Sequence, residues 1–221
     1  MNNEKKVSPK TFLEKFSKKS ELSKLKRLNV TSSQISDALN NLTGNSGVLS
    51  GVMPLFDTSI MGNAITVDTK SDDWGTSVNA IDEAKKGEIL LIKVDEDDKA
   101  IWGELTSKTA KEKGIIATVI YGAVRDVGAI KEMKYPVFSK NIVPNAGKPK
   151  AEGEINVKVQ CGDLIINHQD IIIGDECGVV VVPKELLGDV IKEALNIKRK
   201  EKQIIKDIEE GLSLSSILNL K

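Results

Sequence analysis

Two uninterrupted apolar runs constrain the fold of this chain more than any other feature of its sequence. Residues 89–94 are ILLIKV and residues 115–120 are IIATVI, within the strands we predict over Glu88–Val94 and Ile115–Tyr121. Runs of this length without polar alternation are typical of strands covered on both faces. Apolar residues at helical spacing predict a helix over Trp74–Lys85. A second helix is predicted over Glu104–Lys113, which follows the turn at Trp102-Gly103 and is closed by Gly114. Strands and helices in this alternation predict an α/β fold.

Shorter segments rich in β-branched residues, bounded by Gly, Pro, Asn or Asp, predict the remaining strands. These are Val48–Met53, Ala64–Asp68, Pro136–Phe138, Glu154–Gln160, Leu164–Ile166, Ile171–Gly174 and Gly178–Val182. Thr31 and Gln34 match a capping box, which predicts a helix over Ser33–Asn41 that Gly44 ends. Lys184–Glu210 predicts a long amphipathic helix, packed either on its own domain or on a neighbouring subunit.

The charges are unevenly distributed, although 32 basic and 32 acidic residues give a net charge of zero. Residues 1–28 carry nine basic and three acidic groups, whereas residues 29–183 carry 15 and 22. We predict an N-terminal helical arm over 1–28, one domain over 29–183 and a C-terminal helical extension over 184–221. The zero net charge and an aromatic content of 4% argue against a nucleic-acid-binding protein.

The sequence also limits the compartment and the metals that the protein can use. No apolar run approaches the ~20 residues that span a bilayer, and the first residues lack a signal peptide's apolar stretch, so we expect a cytoplasmic protein without membrane contact. His168 is the single histidine, and Cys161 and Cys177 are expected to be small buried thiols. Any metal must therefore be a hard cation held by carboxylates and water.

The segment from Lys99 to Ile130 contains the pattern that bears most on function. Its first turn, Gly103–Thr106, opens a helix directly after a strand end, and Arg125 and Asp126 follow the next strand. Helix amino ends offer free N–H groups to a carboxylate or phosphate, and arginine adds a planar two-pronged donor. The two turns could hold a small 2-oxo acid and a divalent cation. The alternative is an ordinary surface pair of Arg125 with Asp126, worth ~0–1 kcal/mol.

The scarcity of arginine adds weight to this pair. The chain has 29 lysines and three arginines, and Arg125 is the only arginine within residues 29–183. A lysine would supply the same charge but not the planar fork that matches a carboxylate.

Six short motifs, in this order and spacing, resemble the family of the regulator of ribonuclease activity A (RraA) and the 4-hydroxy-4-methyl-2-oxoglutarate (HMG) aldolases. The resemblance covers roughly residues 28–184. The motifs are SDAL (Ser36–Leu39), WGEL (Trp102–Leu105), YGAVRDV (Tyr121–Val127), EGEINV (Glu152–Val157), CGDLI (Cys161–Ile165) and GDECGVVVVP (Gly174–Pro183).

This resemblance implies a swivelling phosphohistidine-like domain with β/β/α layers, assembled into homotrimers or hexamers with active sites between subunits. It implies that the turn Gly103–Thr106 and Arg125 bind the pyruvate moiety of a small 2-oxo acid, and that Asp126 ligates Mg²⁺ or Mn²⁺. The implied activity is that of a class II pyruvate aldolase, which also decarboxylates oxaloacetate.

Both reactions leave an electron pair on a pyruvate enolate, which a lysine Schiff base or a divalent cation can stabilise. We favour the cation, with Asp126 as its direct ligand and Arg125 on the pyruvyl oxygens. The N–H groups of Leu105 and Thr106 would hold the carboxylate. Glu104 could reach the water shell of the cation, or could simply stabilise the helix dipole.

Some features leave the function open. The alternative is a non-enzymatic RraA-type regulator that binds and inhibits an endoribonuclease. Tyr121 stands where many relatives carry a small polar or acidic residue, which could alter the surroundings of the metal. Aldolase members also use an acidic residue from a neighbouring subunit's C-terminal region. Candidates for that residue are Glu193, Glu201, Glu209 and Glu210.

Overall fold

The computed structural model describes residues 22, 25 and 27–220, so most of the predicted arm over 1–28 lies outside the described residues. The fold is mixed α/β. Its strands are β1 (Met53–Pro54), β2 (Ile60–Thr69), β3 (Ile89–Val94), β4 (Ala100–Trp102), β5 (Ala117–Val124), β6 (Val137–Ile142), β7 (Glu154–Ile155), β8 (Val159–Cys161), β9 (Leu164–Ile166), β10 (Ile171–Asp175) and β11 (Gly178–Val182). Its helices are α1 (Ser32–Thr43), α2 (Gly75–Glu83), α3 (Glu104–Lys113), α4 (Val127–Met133), α5 (Leu187–Glu209) and α6 (Leu214–Ile217).

Nine strands form one sheet in the order β1-β6-β5-β3-β2-β10-β11, with β4 added to β5 and β7 to β2. The strands β2, β3, β5 and β6 are mutually parallel, whereas β10 and β11 are antiparallel to their neighbours. The Leu49 N–H donates to the Val179 carbonyl at 2.9 Å, which brings the segment before β1 against β11. The sheet is therefore nearly closed on itself.

The central strands are apolar and covered on both faces, as the runs in β3 and β5 predicted. Helices cover one face, and the β8–β9 hairpin and the segment before β1 pack on the other. Leu90 and Ile92 of β3 pack in a core cluster with residues of α2 and α3, and Leu91 packs in a second cluster on the other face. A third cluster joins α1 and the first half of α5 to β10 and β11. None of the helices in the described part of the chain has the length and hydropathy of a membrane span.

The helix boundaries agree with the sequence signals. The capping box is present, because the Gln34 N–H donates to Thr31 Oγ1 at 3.2 Å while the Thr31 N–H donates to Gln34 Oε1. Gly44, with φ of 76°, ends α1 in the left-handed conformation that glycine adopts without strain. The predicted long helix is α5, whose first half packs on its own domain through Val190 and Ala194.

Two predicted strands are wrong. Over Val48–Met53 the chain makes an isolated bridge and a turn at Gly51, and only Met53 enters a strand. Glu154–Gln160 breaks into β7 and the start of β8, because Asn156 has a φ of 62° that interrupts the ladder.

The expectation of two buried cysteines is also wrong for one of them. Cys161 is buried and Cys177 is exposed, and both are free thiols. Burial raises the pKa of the Cys161 thiol to about 12, so this group stays protonated at neutral pH.

Candidate functional site

A cleft of about 100 Å³ opens where the loops after β4 and β5 meet. Its walls come from four parts of the chain that are distant in sequence. They are Trp74, the continuous stretch 100–106, the pair Arg125 and Asp126, and Ala146. The carboxyl ends of parallel strands lie beside helix amino ends here, which is where ligands collect in α/β proteins.

The first turn of the cleft depends on Gly103, the N-cap of α3. A Cβ at this position would lie 2.6 Å from Oδ2 of Asp126, so a side chain would displace that carboxylate. The Gly103 N–H donates to Thr106 Oγ1 at 3.0 Å, which satisfies a helix-end amide from within the turn. Beneath it, the Trp102 indole N–H donates to Ser107 Oγ at 2.7 Å and holds the helix start on β4.

The second turn is joined to the first by backbone and side-chain contacts. The Arg125 N–H donates to the Trp102 carbonyl at 3.0 Å. Asp126 has a φ of 58°, a left-handed conformation that aspartate tolerates better than most residues, and it is the N-cap of α4. This conformation turns its carboxylate toward α3, where Oδ2 accepts the Glu104 N–H at 3.2 Å.

The remaining donors of the cleft suit an anion. Of the α3 amides, Asp126 accepts only the first. The Leu105 and Thr106 amides lie in the first helical turn, where no intrahelical acceptor exists, and they have no other acceptor among the described residues. The Arg125 side chain is 45% exposed and lies with Nε 3.5 Å from Asp126 Oδ2. Two free amides, a guanidinium and the positive end of a helix dipole together can bind a carboxylate or an oxo group.

The residues also fit a hard cation of the magnesium type. The Asp126 side chain is 41% exposed, and both of its contacts in the described residues go to Oδ2, which leaves Oδ1 for a cation. Mg²⁺ keeps several water ligands and often takes only one or two protein carboxylates. Within residues 27–220 there is no group of three or more His, Cys, Asp or Glu that could form a denser metal site.

The structure brings the predicted site residues together around one cleft, although their functional roles stay predictions. Gly103, Glu104, Leu105, Thr106, Arg125 and Asp126 all line it. Tyr121 does not, because alternation along β5 turns its ring to the opposite face of the sheet, where Lys140 Nζ lies 4.4 Å from the ring centroid. The expectation that Tyr121 alters the surroundings of the metal therefore has no support in this geometry.

Two of the four C-terminal carboxylates bond to α1 of their own chain. The Gln34 side-chain amide donates to Glu201 at 2.6 Å, and the Asn41 amide donates to Glu193 at 3.1 Å. Hydrogen bonds from Asn196 and Asn41 lower the pKa of the Glu193 carboxyl, so it is ionised in this position. Oε1 of Glu210, the C-cap residue of α5, lies 3.4 Å from Nζ of Lys206.

The far wall of the cleft, formed by Trp74, Ala100 and Ala146, was not predicted from the sequence. These residues are separated by up to 72 positions and carry no motif, so only the folded chain shows that they meet. One signal was available: the chain contains two tryptophans, and both line this cleft.

Comparison with known proteins agrees with the sequence motifs. The RraA-like family model, described as aldolase/RraA, matches residues 32–181. An uncharacterized protein of Methanocaldococcus jannaschii is 46% identical over 177 residues, which are 78% of this chain and 85% of that protein. A protein of Halalkalibacterium halodurans named "Putative 4-hydroxy-4-methyl-2-oxoglutarate aldolase" is 36% identical over 162 residues, covering 72% of this chain and 76% of its own length.

A solved structure shows the same fold at low sequence identity. It is a Streptomyces coelicolor protein described as an unusual member of the RNase ES inhibitor RraA protein family. It superposes with a TM-score of 0.72 at 22% identity, covering 83% of this chain and 94% of its own. With a family model matching 150 consecutive positions and a relative at 46% identity, this chain belongs to the RraA-like (aldolase/RraA) family.

Proposed function

We propose that this protein is a divalent-metal-dependent class II pyruvate aldolase that cleaves 4-hydroxy-4-methyl-2-oxoglutarate or a close analogue. We propose that the same cleft decarboxylates oxaloacetate. The observation that carries the proposal is the meeting of an exposed guanidinium, an exposed carboxylate and two free helix-end amides around one cleft of about 100 Å³. The naming of a 36%-identical relative as an HMG aldolase supports the same reaction class.

Both reactions develop negative charge on the pyruvyl part of the substrate, and the site must stabilise that charge. In aldol cleavage the C4 hydroxyl loses its proton and the C3–C4 bond breaks. C4 leaves as a carbonyl carbon, and the electron pair of the broken bond passes to C3. Protonation of C3 then gives pyruvate; in the decarboxylation, CO₂ leaves instead. A bound divalent cation would supply Lewis-acid stabilisation of the pyruvyl oxygens.

The chain's own residues would position the substrate. The Arg125 guanidinium would donate to the pyruvyl oxygens as their negative charge grows, and the Leu105 and Thr106 amides would hold the carboxylate. Asp126 would hold the cation through Oδ1, while the Glu104 amide fixes Oδ2. Because Gly103 leaves room for that carboxylate, the two turns act as one unit.

We also propose a homo-oligomer, a trimer or a hexamer, in which a neighbouring chain supplies an acidic residue to the cleft. Large apolar side chains are exposed both at the cleft and along the C-terminal helices, as Leu105 (81%) and Ile205 (56%) illustrate. Since Glu193 and Glu201 bond to α1 of their own chain, we place Glu209 and Glu210 first among the candidates.

The test of the activity is turnover. Purified protein with Mg²⁺ or Mn²⁺ should release pyruvate from HMG and from oxaloacetate. Arg125→Ala and Arg125→Lys should both lower kcat/KM by at least about 100-fold, because lysine restores the charge but not the planar fork. Pyruvate binding, followed by the fluorescence of the two cleft tryptophans, should be lost in Arg125→Ala.

Arg199→Ala is the matched control, since Arg199 is exposed on α5 and, among the residues that the structure describes, bonds only within that helix. Wild-type pyruvate binding retained in Arg125→Ala would show that the site is misplaced. A folded wild-type protein without turnover of either substrate would overturn the aldolase proposal. A pull-down against the C-terminal region of an endoribonuclease would then test the regulator, the alternative that shares this fold.

A further inference from the structure

Trp74 closes one end of the cleft and is held there from two directions. Its indole N–H donates to the Gly147 carbonyl at 3.2 Å, and its backbone N–H donates to the Lys148 carbonyl at 3.1 Å. The ring is partly buried and packs on the core cluster beneath α2 and α3. Its position is therefore tied to the loop over residues 143–153, which also carries Ala146.

Strand β4 runs along the cleft and separates two unlike ends. At its start, Ala100 bridges to Ala146 and its N–H donates to the Asn145 carbonyl at 2.9 Å. At its end, the Trp102 carbonyl accepts the Arg125 N–H. With a rise of about 3.3 Å per residue, Ala100 and Trp102 at the two ends lie roughly 7 Å apart. One end is thus charged, with Arg125 and its neighbours, and the other is apolar.

The apolar end is rigid. The buried Asp73 carboxylate accepts the Ala151 N–H at 2.8 Å and the Glu152 N–H at 2.9 Å, which fastens the loop to the start of α2. A Cβ at Gly75 would lie 2.7 Å from the Ala151 nitrogen, so there is no spare room between the two segments. Trp74 cannot move aside without breaking this packing.

From this geometry we propose that Trp74 is the specificity-determining residue of the cleft, limiting the size of the group that a 2-oxo acid carries beyond its pyruvyl part. The inference rests on the proposed function, which places the pyruvyl part at the Arg125 end. A substrate anchored there must extend along β4 toward Trp74 and Ala146. A fixed indole then excludes long substituents by steric contact. In an apolar pocket, one methylene group changes the discrimination between two substrates by about 10–200-fold.

The experiment measures the affinity of the full-length protein for straight-chain 2-oxo acids in the presence of Mg²⁺, by calorimetry. The series is pyruvate, 2-oxopentanoate, 2-oxohexanoate and 2-oxooctanoate. Wild type should lose at least about tenfold in affinity between 2-oxopentanoate, whose five-carbon chain is that of HMG, and 2-oxooctanoate. Trp74→Ala should reduce that loss of affinity for the longer acid by at least about tenfold. Its affinity for pyruvate should change by less than about threefold, because pyruvate is held at the other end of the cleft.

Ala146→Val provides an independent variant that adds volume at the same end. It should shift the ratio in the opposite direction and weaken 2-oxohexanoate more than pyruvate. Tyr121→Ala is the matched control, since it removes a partly buried aromatic side chain on the opposite face of the sheet. It should leave the chain-length ratio unchanged.

The outcomes separate the two proposals. If wild type binds pyruvate but Trp74→Ala weakens all four acids equally, or changes none, and Ala146→Val leaves the ratio unaltered, the specificity role is wrong while the proposed function stands. If wild type binds no 2-oxo acid, the proposed function fails and this inference fails with it. If Trp74→Ala does not fold, the direction of the Ala146→Val shift decides.

Discussion

At the scale of single residues, Asp73 connects the stability of the fold to the shape of the cleft. Its side chain is 1% exposed and accepts hydrogen bonds from Gly75 N at 2.9 Å and Thr76 Oγ1 at 2.7 Å, in addition to the two loop amides. Burial alone would raise the pKa of the carboxyl. The hydrogen bonds from Thr76, Ala151, Glu152 and Gly75 outweigh burial and hold the pKa well below its ordinary value.

This depressed pKa predicts acid sensitivity of a definite sign. The carboxyl stabilises the folded state at pH values above its unfolded pKa of about 3.9, and this contribution is lost as the pH falls below that value toward the folded pKa. Asp73→Asn should therefore lower the free energy of unfolding by about 2–4 kcal/mol at pH 7. Urea titrations of wild type and variant between pH 7 and pH 3 measure this difference, which should shrink on acidification.

Asp163→Asn is the control for the lost charge, because Asp163 is exposed. A constant stability difference between wild type and Asp73→Asn across the whole pH range would contradict the prediction. So would a variant as stable as wild type at pH 7.

Some residues of the site could be predicted from their neighbours in the sequence, and others could not. Arg125 and Asp126 are adjacent in the chain and follow a strand, so their shared location needed no long-range information. Their approach to Gly103 required only that neighbouring parallel strands end at one edge. Asp73 and Trp74, by contrast, act on a loop more than 70 residues away, and no local pattern marks that contact.

At the scale of elements, the start of α1 is attached to the sheet by Asp175. The buried carboxylate accepts the Ser32 N–H at 2.7 Å, Ser32 Oγ at 2.6 Å and the Cys177 N–H at 3.0 Å. It thereby accepts hydrogen bonds both from an amide at the start of α1 and from an amide in the turn between β10 and β11. The sequence indicates a turn at Asp175 and Glu176, but not the contact with α1, because Ser32 is 143 residues away.

This contact predicts that Asp175→Ala destabilises the fold without disturbing the cleft. Three donors would lose their acceptor in a largely buried place, which should cost about 2–4 kcal/mol in the free energy of unfolding. Chemical denaturation measures the loss. Glu176→Ala is the matched control, since Glu176 is the exposed neighbour in the same turn. Equal stability of the two variants would contradict this role.

At the scale of the whole molecule, the mixed α/β architecture was predictable from its buried strands, but the near closure of the sheet was not. Closure depends on the contact of Leu49 with Val179, which lies where the sequence predicted an ordinary strand. The swivelling phosphohistidine-like description and the division at residues 28 and 183 stay predictions. So does the assembly of subunits, for which the C-terminal helices supply the physical argument.

Beyond Ala194, helix α5 loses its buried face but keeps its apolar residues. Among them, Ile205 is 56% exposed and Ile208 is 44% exposed, and α6 continues the pattern with Leu214 (50%) and Leu218 (46%). A helix of 23 residues with so much exposed apolar surface is typical of a subunit contact. We expect this segment to bury its apolar face in the proposed homo-oligomer.

The exposed isoleucines of α5 provide a test of the proposed homo-oligomer. Introducing charge through Ile205→Glu with Ile208→Glu should shift the mass in sedimentation equilibrium from that of a trimer or hexamer toward that of a single chain, because a buried interface does not accept unpaired carboxylates. The control is Gln203→Glu with Ser215→Glu, which adds the same two charges at exposed polar positions and should keep the wild-type mass. A monomeric wild type would refute the oligomer. An unchanged mass in the isoleucine variant would instead place the contact elsewhere on the molecule.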